Sequence, residues 1–316
     1  MKNDKWYVVV NPKAGSNKGQ EDWPEIKRLL ESGEIDFEFV ITTHQRHAIQ
    51  LVQEAIEKGF RKFISVGGDG TLNEVINGIF IKHQALASEI ILGVITVGTG
   101  NDWGRTHEMP ESYAEMVEII KSEKLYKHDI GKAKYRYGEE DESRYFINIA
   151  GMGFDAMVAK RVNTLKEKGY RGLMVYMFSL LSSLIQFKPT KLTIFSDNKK
   201  IYSNSTFLAS IGICKFNGGG MKLLPDAIPD DGLFDLTIIR KVARLKVLAN
   251  IKNVFDGSFV KLREVERFRA KSFTVVSDPP HALNLETDGE SLGNSPLDFE
   301  VLPKAIRMIV PEKENK

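Results

Sequence analysis

A single cysteine, Cys214, stands in 316 residues, so the chain holds no internal disulfide and no metal site built on several thiolates. That scarcity fits a reducing compartment, and the expectation is a cytoplasmic protein. Long apolar runs are missing too. The richest window, Leu173 to Phe187, spans about 15 residues, short of the ~20 that cross a bilayer, and contains Ser179, Ser182, Ser183 and Gln186. No transmembrane segment is expected. The opening Met1-Lys2-Asn3-Asp4-Lys5 runs straight into Trp6-Tyr7-Val8-Val9-Val10, which is not a signal-peptide pattern. Neither sign of charge is in excess: the formal net charge of +2 argues against a dedicated nucleic-acid binder. No Gly-x-x-x-x-Gly-Lys-Ser/Thr occurs, which excludes a P-loop NTPase. No Gly-x-Gly-x-x-Gly opens a first βαβ unit, which weakens a dinucleotide oxidoreductase reading. The six histidines are scattered, and the neighbours His44 and His47 lack the further ligands of a zinc site. There is no internal repeat, and the charged cluster Gly138 to Glu142 is the one biased segment.

What the chain does have, with 42% hydrophobic and 27% charged residues, is an ordinary globular balance and length enough for two domains. Its focal stretch is Ile64-Ser65-Val66-Gly67-Gly68-Asp69-Gly70-Thr71-Leu72-Asn73-Glu74. Phe63 to Val66 read as a buried strand. Thr71 to Phe80 carry Leu72, Val75, Ile76 and Ile79 at helical spacing. A glycine turn between strand and helix offers backbone N–H groups at a helix N-terminus, where phosphate is well received. Asp69 would repel phosphate, so it is expected to face a metal ion, a water or a hydroxyl. The plainer reading is a tight turn with an aspartate cap.

The same texture surrounds it. Tyr7 to Val10 read as a strand followed by the polar turn Asn11-Pro12-Lys13-Ala14-Gly15-Ser16, and Asp22 to Leu30 as a helix. Phe37 to Thr42 read as a second strand and Ala48 to Lys58 as a second helix. Ile90 to Val97 supply another strand, closed by Gly98-Thr99-Gly100-Asn101-Asp102, with a helix over Tyr113 to Lys121. Such alternation predicts an α/β domain with a parallel sheet and flanking helices. Right-handed crossovers would bring the turns after Val10, Val66 and Val97 to one edge. A carboxylate such as Asp102 beside a phosphate loop is a route to Mg²⁺.

After about residue 125 short strands dominate: Lys127 to Lys134, Arg144 to Ala150, Lys191 to Ser196, Ile201 to Cys214, Leu233 to Ile239, Ser272 to Ser277 and Leu297 to Val301. Helical regions are expected over Ala156 to Phe187 and Ala243 to Phe255. This predicts a mostly antiparallel β-sandwich or barrel-like second domain. The expected division is 1–125 for the nucleotide-binding domain and 126–302 for the second; whether a strand over Ala305 to Pro311 carries 303–316 back to the first stays open. Pro225 to Asp235 concentrates four carboxylates in a turn, open to metal binding or plain solvation. Thr287-Asp288-Gly289-Glu290 is a turn of common composition between likely strands.

Gly67 to Glu74 together with Gly98 to Asp102 resemble the diacylglycerol kinase catalytic-domain family, in its bacterial soluble form related to sphingosine kinases. Asn11-Pro12-x-x-Gly15 matches that family's first turn, and Thr42 with His47-Ala48 its second-strand motif, except that Arg46 stands where glycine is frequent. The resemblance implies a β-sandwich second domain and a lipid kinase that uses ATP and Mg²⁺. It implies a nucleotide site from Asn11, Pro12, Gly15, Thr42, Gly67, Gly68, Gly70, Thr71, Asn73, Glu74, Thr99 and Asn101, with Asp69 and Asp102 organising metal and water. It implies catalytic carboxylates at Asp288 and Glu290 without choosing between them. It also implies a structural Mg²⁺ clip at Asp231, completed by carbonyls near Ile228 and Leu233. The substrate expected first is diacylglycerol, taken from the inner face of the membrane by a peripheral protein that could be a homodimer. Sphingoid bases or ceramide come next, then a NAD kinase, then a catalytically silent nucleotide- or lipid-binding regulator.

Overall fold

The computed structural model describes residues 3–98, 100–168, 170 and 173–312. The chain forms two compact units, Met1–Ile130 with Pro303–Lys316, and Gly131–Leu302.

In the first unit β1 (Asn3–Val10), α1 (Lys18–Ser32), β2 (Phe37–Ile41), α2 (His47–Glu57), β3 (Phe60–Gly67), α3 (Asp69–His83), β4 (Ile91–Thr96), α4 (Asp102–Thr106) and α5 (Tyr113–Lys121) follow one another. β1 pairs in parallel with both β2 and β3, and β3 with β4, so Val8 lies between Phe39 and Ile64. Val8, Val9, Val10, Ile64 and Val66 are at most 1% exposed. Strands buried on both faces need continuous apolar runs rather than alternation, which is how β1, β3 and β4 read. One face is closed by Trp23, Ile26 and Leu30 of α1 and by Met116, Val117 and Ile120 of α5. The chain's last strand brings Arg307 and Met308 alongside Ile91 and Leu92 of β4, in parallel.

The second unit is β-rich. It contains the greater part of β5 (Leu125–Tyr137), then β6 (Glu140–Phe146), β7 (Ile149–Gly153), α6 (Phe154–Glu167), α7 (Leu173–Gln186), β8 (Thr190–Ser196), β9 (Lys199–Gly212), β10 (Phe234–Arg240), α8 (Arg244–Ala249), α9 (Ile251–Asp256), β11 (Val265–Ala270), β12 (Ser272–Asp278), β13 (Asn284–Thr287) and the first part of β14 (Glu290–Ile309). Its pairings are antiparallel and close on themselves: β8 to β9, β9 to β7, β7 to β13, β13 to β14, β14 to β12 and β12 back to β8. The expected sandwich is therefore barrel-like. Two long strands change partners to close the ring. β9 gives residues 199–206 to β8 and 208–212 to β7, and β14 gives 290–294 to β13 and 297–300 to β12.

Three expectations change. The strand predicted over Arg144 to Ala150 is broken between β6 and β7, because the Ile147 and Asn148 N–H groups are drawn to a side chain instead of a ladder. The helix predicted over Ala156 to Phe187 is two, α6 and α7; Gly169, Arg171 and Gly172 fall outside the described residues. The one over Ala243 to Phe255 divides at Asn250, whose φ of −109° and ψ of 10° leave the helical range. β11 and β13 went unread: Glu266, Arg267 and Arg269 leave β11 no apolar run, and β13 is only four residues long. Among the described residues no helix is long and apolar enough to cross a membrane.

The core of the second unit gathers Phe146, Phe234, Phe273 and Phe299, with Phe146 stacked on Phe234 at 5.7 Å between ring centroids. Phe146→Ala empties that position and should cost about 3–5 kcal/mol, read as a lower denaturant midpoint with an unchanged slope.

Candidate functional site

In the first unit the loops after β1, β3 and β4 meet. Asn11 N–H donates to Val66 O at 3.0 Å, and Val97 N–H to Gly67 O at 2.9 Å. Gly15 and Gly98 touch backbone to backbone: a Cβ on Gly15 would lie 2.8 Å from the Gly98 Cα. Both adopt positive φ, 58° and 120°, so no other residue type suits the contact. Asn11 Nδ2 donates to Thr71 Oγ1 at 2.9 Å, and its own Oδ1 accepts the Lys13 N–H at 3.0 Å. Pro12 O accepts the Gln20 N–H at 3.0 Å. Thr42 is buried and donates its N–H to Val10 O at 2.9 Å.

α3 starts at Gly68 with no side-chain cap. The Thr71 and Leu72 N–H groups bond Gly68 O at 2.9 and 3.1 Å, and nothing lies within 4 Å of where a Gly70 Cβ would be. Backbone donors at an uncapped, side-chain-free helix start suit an anion. Thr99 lies outside the described residues.

The acids and amides of these motifs take other partners than expected. Asp69 accepts the N–H groups of Asp102 at 2.9 Å and Trp103 at 3.0 Å, one on each carboxylate oxygen, so it caps α4. Its negative charge is thereby spent on a helix start, which explains its tolerance among phosphate donors. Glu74 accepts N–H from Arg46 at 2.8 Å and Ala48 at 3.2 Å, and caps α2. Asn73 is fully buried and receives the Asn77 amide at 3.1 Å. Asn101 Nδ2 donates to Gly98 O at 2.9 Å and shapes the turn. Glu74, Asn73 and Asn101 therefore hold the loops. Asp102 is 5% exposed at the start of α4, and oxygen donors of this kind suit a hard cation.

In the second unit Thr287 pairs with Glu290 across a two-residue hairpin turn, with Asp288 at φ 49° and Gly289 at φ 83°. The Asp288 carboxylate accepts three backbone N–H bonds, from Ile147 at 3.0 Å, Asn148 at 3.0 Å and Ile149 at 3.2 Å. This is the side chain that interrupts the strand between β6 and β7. Asp288 anchors backbone, and Glu290 stands half-buried beside it.

Behind the turn lies a pair of carboxyls that sequence reading missed. Asp155, in the first turn of α6, and Glu286, on β13, both receive the Asn217 amide, at 3.2 and 2.9 Å. Both also crowd Gly151, where a Cβ would sit 2.3 Å from an oxygen of each. Glu286 additionally accepts the Gly289 N–H at 2.8 Å, which ties the pair to the Asp-Gly-Glu turn. Burial raises the Asp155 carboxyl to about 6. Burial and the neighbouring Asp155 charge push Glu286 well up. Two buried acids in contact share a proton rather than ionise together. The available signal was Asp155 as the one acid between Tyr145 and Lys160, and Glu286 at an inward position of β13.

Asp155 also borders an apolar cavity of about 100 Å³, walled by Phe154, Val158, Leu180, Leu208, Val247 and Ile251. The acidic turn Pro225 to Asp235 behaves differently from the expected metal clip. Asp231 accepts the Leu233 N–H at 3.0 Å and pairs with Arg269, which also reaches Asp235 at 3.2 Å, while Asp226 pairs with Arg267. Ile228 is 46% exposed. A divalent ion at Asp231 would have to displace the Arg269 guanidinium, so this turn does not fit the clip as it stands.

Residues 5–133 match the family described as diacylglycerol kinase catalytic domain, and residues 148–310 the one described as YegS C-terminal NAD kinase beta sandwich-like domain. A diacylglycerol kinase of Staphylococcus saprophyticus is 31% identical over 305 residues, covering 96% of this chain and 94% of its own. A solved diacylglycerol kinase structure from Bacillus anthracis superposes with a TM-score of 0.70 at 24% identity over 98% of both chains. A yeast NADH kinase structure reaches 0.54 at 9% identity over 98% of this chain and 84% of its own, a likeness of fold alone.

Because Asp155 binds its proton more tightly folded, at about 6, than at its ordinary 3.8, that stabilisation is complete below the lower value and lost as pH rises through the upper one. Asp155→Asn keeps the Asn217 contact without the charge. It should raise the unfolding temperature at pH 8 by a few degrees and narrow the difference between pH 5 and pH 8, by calorimetry. An unchanged difference would mean that no proton is shared there.

Proposed function

The chain belongs to the diacylglycerol kinase catalytic-domain family, and we propose that this lipid kinase moves the γ-phosphoryl group of ATP to a lipid hydroxyl, that of diacylglycerol first. The observation that carries the acceptor class is the apolar cavity with an acid pair at its border. An aliphatic wall ending at carboxyls suits an amphiphile with a hydroxyl at its head. A NAD acceptor has no aliphatic chain to fill it.

On the nucleotide side, the uncapped N–H groups at the start of α3 receive phosphate, with Asn11, Gly15, Thr42 and Thr71 shaping the pocket. Mg²⁺ carried with ATP would supply charge neutralisation, and Asp102 is the carboxylate that would hold it. Asp69 acts through Asp102, by fixing the start of α4. On the acceptor side, Glu290 takes the hydroxyl proton as the oxygen attacks the γ-phosphorus and the bond to ADP breaks. Asp288 keeps the turn in place through the 147–149 backbone. Catalysis of this kind is mostly positioning and charge stabilisation.

Glu290→Gln should lower turnover by about 10²–10⁴-fold while ATP binding by calorimetry stays within about twofold. Asp288→Asn should lower turnover and unfolding temperature together, since an amide cannot accept all three N–H bonds. Normal turnover in Glu290→Gln would move the proton-accepting role to Asp155. The acceptor is identified by ATP consumption against diacylglycerol, a sphingoid base, ceramide and NAD in mixed micelles. Turnover with NAD alone would overturn the lipid reading, and ATP binding without turnover would favour a regulator.

A further inference from the structure

The two carboxyls behind the Asp-Gly-Glu turn differ in what they meet. Asp155 is half-buried and borders the apolar cavity. Glu286 is 1% exposed and does not line it. Water in the cavity therefore reaches Asp155 first. Asn217 Nδ2 bridges the pair, at 3.2 Å to Asp155 Oδ2 and 2.9 Å to Glu286 Oε1. The other Glu286 oxygen, Oε2, accepts the Gly289 N–H at 2.8 Å, one residue before Glu290. A continuous chain of contacts thus runs from the cavity wall to Glu290.

The elements packed on α6 bring no cation to this chain among the described residues. α7 and β7 contain no charged residue, and neither does the part of β9 that pairs with β7. Arg161 of α6 itself reaches Ser182 and Gln186. Lys246, on the cavity wall, is paired with Glu264. Asp288 adds a further negative charge near Glu286. One shared proton therefore keeps the two carboxyls in contact.

Water decides which acid carries it. With a wet cavity Asp155 is solvated and ionised, and the proton stays on Glu286. An aliphatic chain in the cavity expels that water, and desolvation then favours a neutral Asp155. The proton leaves Glu286 Oε1 for Asp155 Oδ2, and the negative charge passes to Glu286. An ionised Glu286 holds the Gly289 N–H by a charge-assisted bond, stronger than the neutral one.

We propose that Asp155 and Glu286 form an acceptor-sensing relay, in which an aliphatic chain in the cavity tightens the Asp-Gly-Glu turn and so positions Glu290. Both are positioning residues, because they act through Gly289. The relay rests on the reading of the cavity as the acceptor-lipid site and of Glu290 as the proton acceptor. While the cavity is empty Glu290 is held less firmly, which disfavours transfer of the γ-phosphoryl group to water.

The test is hydrogen–deuterium exchange of the full chain, read on the peptide that contains Gly289 and Glu290, with and without dioctanoylglycerol. In the wild-type chain the lipid should slow exchange at the turn by about fivefold. Asp155→Asn is neutral at all pH and leaves the charge on Glu286, so it should protect the turn equally without lipid and respond no further to it. Glu286→Ala should leave the turn unprotected in both conditions and lower kcat by about 10- to 100-fold with KM for ATP unchanged. Asp155→Asn should also raise ATP hydrolysis without lipid relative to lipid phosphorylation. Lipid that binds by calorimetry without protecting the turn would overturn the relay, as would equal lipid protection in the wild-type chain and Asp155→Asn. Protection of the turn by Asp155→Asn in a chain that binds no diacylglycerol supports the proton linkage and counts against the acceptor reading alone.

Discussion

The first unit turns on one carboxylate. Asp69 holds the N–H groups of Asp102 and Trp103, and so joins the glycine turn that opens α3 to the one that opens α4. Glycine-rich backbone is an entropic liability, since glycine has the most conformational freedom to lose. Cross-bracing by a side chain that neither swings away nor donates to phosphate is an economical solution. Asn11 on Thr71, Asn101 on Gly98 and the Gly15–Gly98 contact complete the bracing. Remove the carboxylate and both turns keep their sequence but lose their common register.

The second unit repeats the principle with different parts. Asp288 accepts three N–H bonds from the junction of β6 and β7, and Glu286 accepts one from Gly289. The Asp-Gly-Glu hairpin is thus held from two directions. Its neighbours Asp155 and Glu286 are the costly part of the design, because two acids are buried against each other beside an apolar cavity. A fold that only had to be stable would place hydrophobic residues there. Glu286 joins the pair to the turn through the Gly289 N–H, and Asp155 joins it to the cavity wall.

Local signals were legible where one stretch suffices. Apolar runs located β1, β3 and β4, the 3.6-residue period located α1, α2, α3 and α5, and glycine density located the turns that open α3 and α4. Legibility failed where a residue's partner is remote in sequence. The role of Asp69 depends on a backbone 33 residues away, and that of Asp288 on one about 140 away. The strand expected over Arg144 to Ala150 was broken by that remote acceptor. Asp231 looked like a metal ligand until Arg269, 38 positions on, took its charge.

By itself the sequence determined the α/β first half and the β-rich second half, the glycine turns and the family, because these rest on periodicity, backbone permissiveness and short contiguous motifs; that the β-rich half closes into a ring was not in it. The tertiary structure decided which carboxylates are anchors, which share a proton and which are neutralised by arginine. Those outcomes depend on desolvation and on partners supplied by other elements, and neither quantity exists along an unfolded chain. It also decided that α7, which reads as an ordinary apolar helix, leaves Met174, Phe178, Leu181 and Ile185 outside.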